Sequence, residues 1–298
     1  MMEQLMGTGV ALVTPFTEEG SVDAAALSRI VEHNIQGGVD YLVVLGTTGE
    51  SVTLSKAEKK QVADIVVKTN AGRLPLVLGI GGNNTAALAE ELRTTNLTDF
   101  DAVLSVSPAY NKPTQEGIYQ HFKVLAEASP KPIILYNVPS RTGSNMLPET
   151  TIRLAKDFES IVAIKEACGD SVQIDEILRN ASSDFLVISG DDFTALSTVL
   201  AGGAGVISVL GQGLPEVFSQ MIRYAREGRA EEAYKIHHGL LPLMRLIFEE
   251  GNPAGIKSIF EHLGLSNALV RLPLVEASPK LKNRISQFIL TLNSKVNA

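Results

Sequence analysis

The sequence predicts an α/β fold, a closed (β/α)8 TIM barrel followed by a C-terminal helical extension. Eight short runs rich in Val, Ile and Leu recur through the first 228 residues, and stretches with helical spacing separate them. Most of these runs do not alternate with polar residues, the pattern of parallel strands covered on both faces. Eight β-then-α units match a closed barrel in count and unit length, whereas a doubly wound open sheet usually has fewer strands.

The predicted strands are GVALVT (9–14), YLVVLG (41–46), PLVLGI (75–80), AVLSVS (102–107), PIILYN (132–137), IVAIK (161–165), FLVISG (185–190) and GVISVL (205–210). Among the helical segments, 23–38 stops at a glycine pair. Segment 55–69 opens on Ser55 with Glu58 three residues on, a capping box. Pro148 and Pro215 stand where a first helical turn tolerates proline. From Arg229 the strand signal stops, and 229–250, 252–265 and 278–296 all have helical character. The expected division is therefore a barrel over 1–228 and a helical domain over 229–298.

Composition narrows the function. The 298 residues are 45% hydrophobic and 20% charged, ordinary for a globular protein of one large core. Net charge is -7 and no stretch concentrates Lys or Arg, which argues against nucleic acid and anionic membrane as partners. The stretch MMEQLMGTGVALVTPF has no basic region and does not read as a signal peptide, and no apolar run reaches the ~20 residues of a membrane span. A single cysteine, Cys168, excludes an internal disulfide and suits a reducing cytoplasm. With no Trp and 5% aromatics, the core must be aliphatic.

In a barrel, chemistry gathers in the loops at the C-terminal ends of the strands. Those ends carry G-T-T-G-E-S (46–51), S-P-A-Y-N-K (107–112), Y-N-V-P-S-R-T-G (136–143), Lys165 and S-G-D-D (189–192). Zinc-type His/Cys spacings are absent. Lys165 ends an apolar run. A solvated lysine just past a strand is the ordinary outcome, but Ile161 and Ala163 share its strand face, and one face of a barrel strand points into the packed interior. Desolvation lowers a lysine's pKa, and a neutral amine suits Schiff-base formation with a ketone. Tyr136 ends the neighbouring strand, either as an amphipathic rim residue or as a phenol passing protons to and from the lysine's adduct. Thr47 and Thr48 lie between Gly46 and Gly49, in a plain tight turn or in a receptor for a carboxylate with one hydroxyl in a proton path. Arg141, on a loop stiffened by Pro139, is a surface cation or a fork for a second substrate's carboxylate. Tyr110 sits among loop residues and on its own reads as surface or interface. G-I-G-G-N-N-T (79–85) lacks both phosphate-loop and dinucleotide spacing and is expected to turn into a helix. The five histidines read as solvated helix faces, and Cys168 as an inert small residue.

Taken together, G-T-T-G-E-S, Y-N-V-P-S-R-T-G, I-V-A-I-K-E-A and S-G-D-D resemble the pyruvate-dependent class I aldolases of the dihydrodipicolinate synthase/N-acetylneuraminate lyase family. Y-Q-H-F-K (119–123) and N-P-A-G-I-K (252–257) fit the synthase pattern as well, so the resemblance spans nearly the whole chain. It implies a homotetramer built as a dimer of tight dimers, with no metal or organic cofactor. Lys165 matches the Schiff-base lysine and Tyr136 its proton donor and acceptor. Thr47 and Tyr110 match the relay, with Tyr110 reaching into the neighbouring subunit's site. Thr48 and the backbone of Gly190 and Ile207 match the pyruvate-binding positions. Lyases of N-acetylneuraminate carry Ser-Thr in place of Thr47-Thr48 and lack an arginine at Arg141, which favours the synthase branch, condensing pyruvate with L-aspartate-4-semialdehyde. The alternatives are a sibling aldolase acting on a sugar acid, and a non-catalytic barrel that binds a keto acid.

Lysine-inhibited members of the family bind lysine at the tight-dimer interface through histidines, a glutamate and a tyrosine. The matching positions here hold Lys56, Lys59, Ala87 and Ala109, so two cations replace neutral groups, an anion is lost and a phenol is gone. Feedback inhibition is expected to be weak or absent. A titration with millimolar lysine should leave the rate nearly unchanged, and strong inhibition would refute the reading.

Overall fold

The computed structural model describes residues 3–296; Met1 and Met2 of the N-terminal stretch and residues 297–298 of the helical extension lie outside them. Among the described residues, eight parallel strands close into one barrel in sequence order. They are β1 (Gly7–Ala11), β2 (Tyr41–Val44), β3 (Leu76–Gly79), β4 (Ala102–Val106), β5 (Ile133–Asn137), β6 (Ile161–Glu166), β7 (Leu186–Ser189) and β8 (Gly205–Ser208). The first helices are α1 (Ala24–Gln36), α2 (Lys56–Asn70), α3 (Thr85–Thr94), α4 (Gln115–Ala128), the one-turn α5 (Pro139–Thr142) and α6 (Pro148–Asp157). Then come α7 (Ser171–Asn180), α8 (Ala195–Leu200) and α9 (Pro215–Arg226). Three more helices follow, α10 (Ala230–Glu249), α11 (Ala254–His262) and α12 (Pro279–Val296). None of these helices is long and apolar enough to cross a membrane.

Local chemistry sets the helix starts. Ser55 and Glu58 form the reciprocal capping box, and Asn84 accepts the Ala87 N–H at the turn from G-I-G-G-N-N-T into α3. Pro148 and Pro215 occupy first helical turns.

Two aliphatic layers result. One fills the barrel interior with Ala11, Val43, Val77, Leu104, Ile134, Ala163, Ile188 and Ile207; the other lies between strands and helices. Strand 1 departs from the expected 9–14. It begins at Gly7 because two glycines pair there: a Cβ on Gly205 would come within 1.9 Å of the Gly7 carbonyl oxygen. The apolar residues after Ala11 continue past the ladder, with Gln212 accepting from the Val13 N–H (2.9 Å) and donating to the Ala11 carbonyl (2.6 Å). Two histidines also depart from the solvated reading. His121 and His237 are buried, and burial lowers the pKa of both, His121 to about 4. Thr85 Oγ1 stands 2.8 Å from His121 Nδ1.

The C-terminal helices reach the barrel mouth through one buried ion pair. Glu50 follows the Gly-Thr-Thr-Gly loop in a left-handed conformation (φ 52°) and is 2% exposed. Its Oε1 lies 2.6 Å from Nζ of Lys257 on α11, and its Oε2 accepts the Arg271 N–H at 2.9 Å. Lys257 donates a second bond to the Leu269 carbonyl (2.7 Å). Burial lowers the Lys257 pKa, and the Glu50 carboxylate opposes that shift. Such a pair adds little net stability, but either half alone is costly. Lys257→Met should therefore destabilise the protein by about 3–5 kcal/mol in urea unfolding, and adding Glu50→Gln should recover most of the loss.

Candidate active site

Strand register brings the site together. Tyr136 and Lys165 are direct partners across β5 and β6. That pairing depends on an irregularity: Ile133 pairs Ile161 but Ile134 pairs Ala163, so β6 holds one extra residue at Val162. In consequence Ala163 packs with the interior layer while Ile161 packs with the helix-facing layer. Contrary to the alternation expected from the sequence, Ile161 does not share the face of Lys165, because a bulge intervenes.

Lys165 is 5% exposed, and its Nζ lies 4.4 Å from the centroid of the Tyr136 ring. Gly190, just past β7, lies flat against it. A Cβ there would stand 3.0 Å from both Cγ and Cε of Lys165 and 2.8 Å from the Ala167 Cβ. Only glycine lets this backbone approach the amine's stem so closely. The Gly190 N–H is tied to the Glu166 carbonyl at 2.7 Å. Ile207, on β8, belongs to the same interior layer as Tyr136, Ala163 and Ile188.

The loop after β2 turns through Leu45 in a left-handed conformation (φ 60°), uncommon for a residue with a side chain. Thr47 then lines a cavity of about 150 Å³ with Tyr136, Gly81 and Lys59. Thr48 is 2% exposed and accepts from Asn252 Nδ2 at 3.0 Å.

Two further sequence candidates are exposed. Tyr110 is 93% exposed at φ 67°, on a loop braced by the Asn83 amide, which bonds both backbone groups of Ala109. Arg141 is exposed on α5. A backbone bond from the Tyr110 N–H to the Thr142 carbonyl (3.1 Å) joins their two loops.

The sequence reading passed over several groups that support this site. Asp192, in S-G-D-D, is buried and accepts from Ser208 Oγ (2.5 Å) and the Leu210 N–H (2.8 Å), fastening the end of β8; burial pushes its pKa up to about 6. Glu166 stands next to Lys165 and is fully buried. Asn252, between α10 and α11, and Lys257 of α11 bond to Thr48 and Glu50 of the threonine loop. Each stands inside a motif quoted from the sequence, but nothing local in those motifs names its partner. Cys168 fits its inert reading, since burial and then Glu166 push its thiol up to about 12.

A closed barrel with an interior lysine at a strand end, a phenol paired to it and a glycine against its stem defines an enzyme class, the Schiff-base-forming carbon–carbon lyases and synthases of the class I aldolase type. Within that class the chain belongs to the dihydrodipicolinate synthetase family, whose model matches residues 4–291. It is 59% identical over 292 residues to a 4-hydroxy-tetrahydrodipicolinate synthase of Flavobacterium psychrophilum, covering 98% of this chain and 100% of that one. A solved dihydrodipicolinate synthase from Thermotoga maritima superposes with a TM-score of 0.93 at 38% identity, covering 96% and 98% of the two chains. A structure described as the first monomeric dihydrodipicolinate synthase variant superposes equally well (TM-score 0.93, 38% identity, 97% of each chain).

Gly190→Ala tests the close approach. The new methyl group must displace the Lys165 stem, and a displacement of that kind should cut kcat/KM for the keto acid about tenfold or more while the protein stays folded by circular dichroism.

Proposed function

We propose that this chain condenses pyruvate with L-aspartate-4-semialdehyde to form 4-hydroxy-tetrahydrodipicolinate, a step of diaminopimelate and lysine biosynthesis. The observation that carries the proposal is the buried Lys165, paired with Tyr136 on the interior of the barrel and flanked by Gly190. The names of the relatives support the reaction.

The residues take roles by position. Lys165 Nζ attacks C2 of pyruvate. Tyr136, linked through Thr47 and a partner subunit's Tyr110, protonates the departing hydroxyl, and water leaves to give the iminium. The Thr48 hydroxyl donates to the pyruvate carboxylate, and the backbone at Gly190 and Ile207 lines the bound pyruvate. Removal of a C3 proton yields the enamine, with the iminium nitrogen taking up the electron pair. C3 then bonds to the aldehyde carbon of the second substrate, and the aldehyde oxygen takes a proton to become the hydroxyl. Arg141 holds the second substrate's carboxylate. The second substrate's amine adds to C2, closes the ring and releases Lys165.

The same reading makes the assembly a dimer of tight dimers, supported by the exposed phenol of Tyr110 held on a braced loop. A monomeric variant among the similar structures makes sedimentation at working concentration the measurement that decides it. The reading also puts the reaction in the cytoplasm, with which a single cysteine is compatible.

Two experiments test the roles. Incubation with pyruvate and borohydride, followed by peptide mass mapping, should label Lys165 and no other lysine; turnover with position 165 unlabelled would overturn the proposal. Arg141→Ala should raise KM for L-aspartate-4-semialdehyde roughly ten- to hundredfold, the worth of a charge-assisted hydrogen bond, and change KM for pyruvate little.

A further inference from the structure

Behind the Tyr136–Lys165 pair stands a second pair that the mechanism does not use. Asn137 and Glu166 are also direct partners across β5 and β6, one residue further along each strand and so on the opposite face of the sheet. Both are 0% exposed. Glu166 has no cation partner among the described residues. Its carboxylate is held by neutral donors: Asn137 Nδ2 lies 3.0 Å from each oxygen, Gln173 Nε2 lies 3.1 Å from Oε2, and the Cys168 N–H lies 2.8 Å from Oε1. Burial raises its pKa, with the amide donors opposing the shift.

The network does not end at the sheet. Asn137 Nδ2 also reaches Asn145 Oδ1 at 2.7 Å, and Asn137 Oδ1 accepts the Met146 N–H at 3.0 Å. Asn145 and Gln173 exchange amide bonds of 2.7 and 3.2 Å. Asn145 and Met146 form the return of the loop that carries Arg141. One buried carboxylate therefore joins the strand that carries Lys165, the strand that carries Tyr136, and, through two amides, the loop bearing the guanidinium. A buried acid with no cation is costly to keep. A purely structural brace at this point needs no charge.

We propose that Glu166 is a positioning residue: with Asn137, Gln173 and Asn145 it locks the Schiff-base strand end and the Arg141 loop into one geometry, so that the keto-acid step and the aldehyde step share a single buried brace. The inference rests on the roles proposed above for Lys165 and Arg141.

The test uses Glu166→Gln, which turns one acceptor into a donor facing donors. Two quantities are read on the folded full-length protein. The rate at which borohydride traps the pyruvate adduct should fall at least tenfold, and KM for L-aspartate-4-semialdehyde should rise at least fivefold. The swap Glu166→Gln with Gln173→Glu returns an acceptor to the network and should recover part of both losses. A lowered Tm with both quantities at wild-type values overturns the inference, because that is the signature of a structural role. A change in one quantity without the other overturns the shared brace. If Glu166→Gln does not fold, Asn145→Ala carries the test from the loop side: a raised KM for the aldehyde supports the brace and an unchanged one overturns it. Failure of the underlying roles is distinguishable, since the wild-type protein would then show no adduct at Lys165 before any variant is compared.

Discussion

One extra residue in β6 decides what faces what. With regular pairing from Ile133 and Ile161 onward, Tyr136 would stand opposite Ile164, and Lys165 would sit beside Asn137 on the helix-facing side. The register shift at Val162 puts Lys165 opposite Tyr136 on the inside and leaves Glu166 opposite Asn137 on the outside. A slip of one residue exchanges the two faces of a strand, so this irregularity separates an interior amine from an exterior one. The neighbouring strands accept the result. Gly190 presses its bare backbone against the lysine stem, and its N–H is tied to the Glu166 carbonyl.

The barrel was legible because its strands are buried on both faces and read as uninterrupted aliphatic runs, and because caps such as Ser55 with Glu58 announce the helices. What sequence could not supply was phase. Ile161 and Lys165 are four residues apart, so simple alternation puts them on one face; nothing in I-V-A-I-K marks a bulge at Val162. Nor does alternation foresee that two glycines, Gly7 and Gly205, begin a ladder, since neither carries the side chain that signals a strand.

The candidate site divides in the same manner. Residues whose roles follow from reactive groups at strand ends, Lys165, Tyr136 and Thr47, come together, while Tyr110 and Arg141 sit on exposed loops joined by one backbone bond. The supporting groups were hidden because their importance lies in partners distant in sequence. Asp192 matters through Ser208 and Leu210, Thr48 through Asn252, and Glu50 through Lys257. Local propensity carries no information about such pairs. His121 and His237 make the converse point: a histidine in a polar-looking helix is buried when that face of the helix turns toward the core.

The Glu50–Lys257 contact spans 207 positions of the chain. During synthesis the threonine loop leaves the ribosome long before the lysine that neutralises its neighbouring carboxylate exists. Until α11 arrives, the Glu50 carboxylate lacks the cation that offsets its burial. The carboxylate beside the threonine loop is thus neutralised late, by a lysine 207 positions further along the chain. A chain that stops short of α11 keeps its reactive strand ends but leaves a carboxylate beside them without its counter-charge.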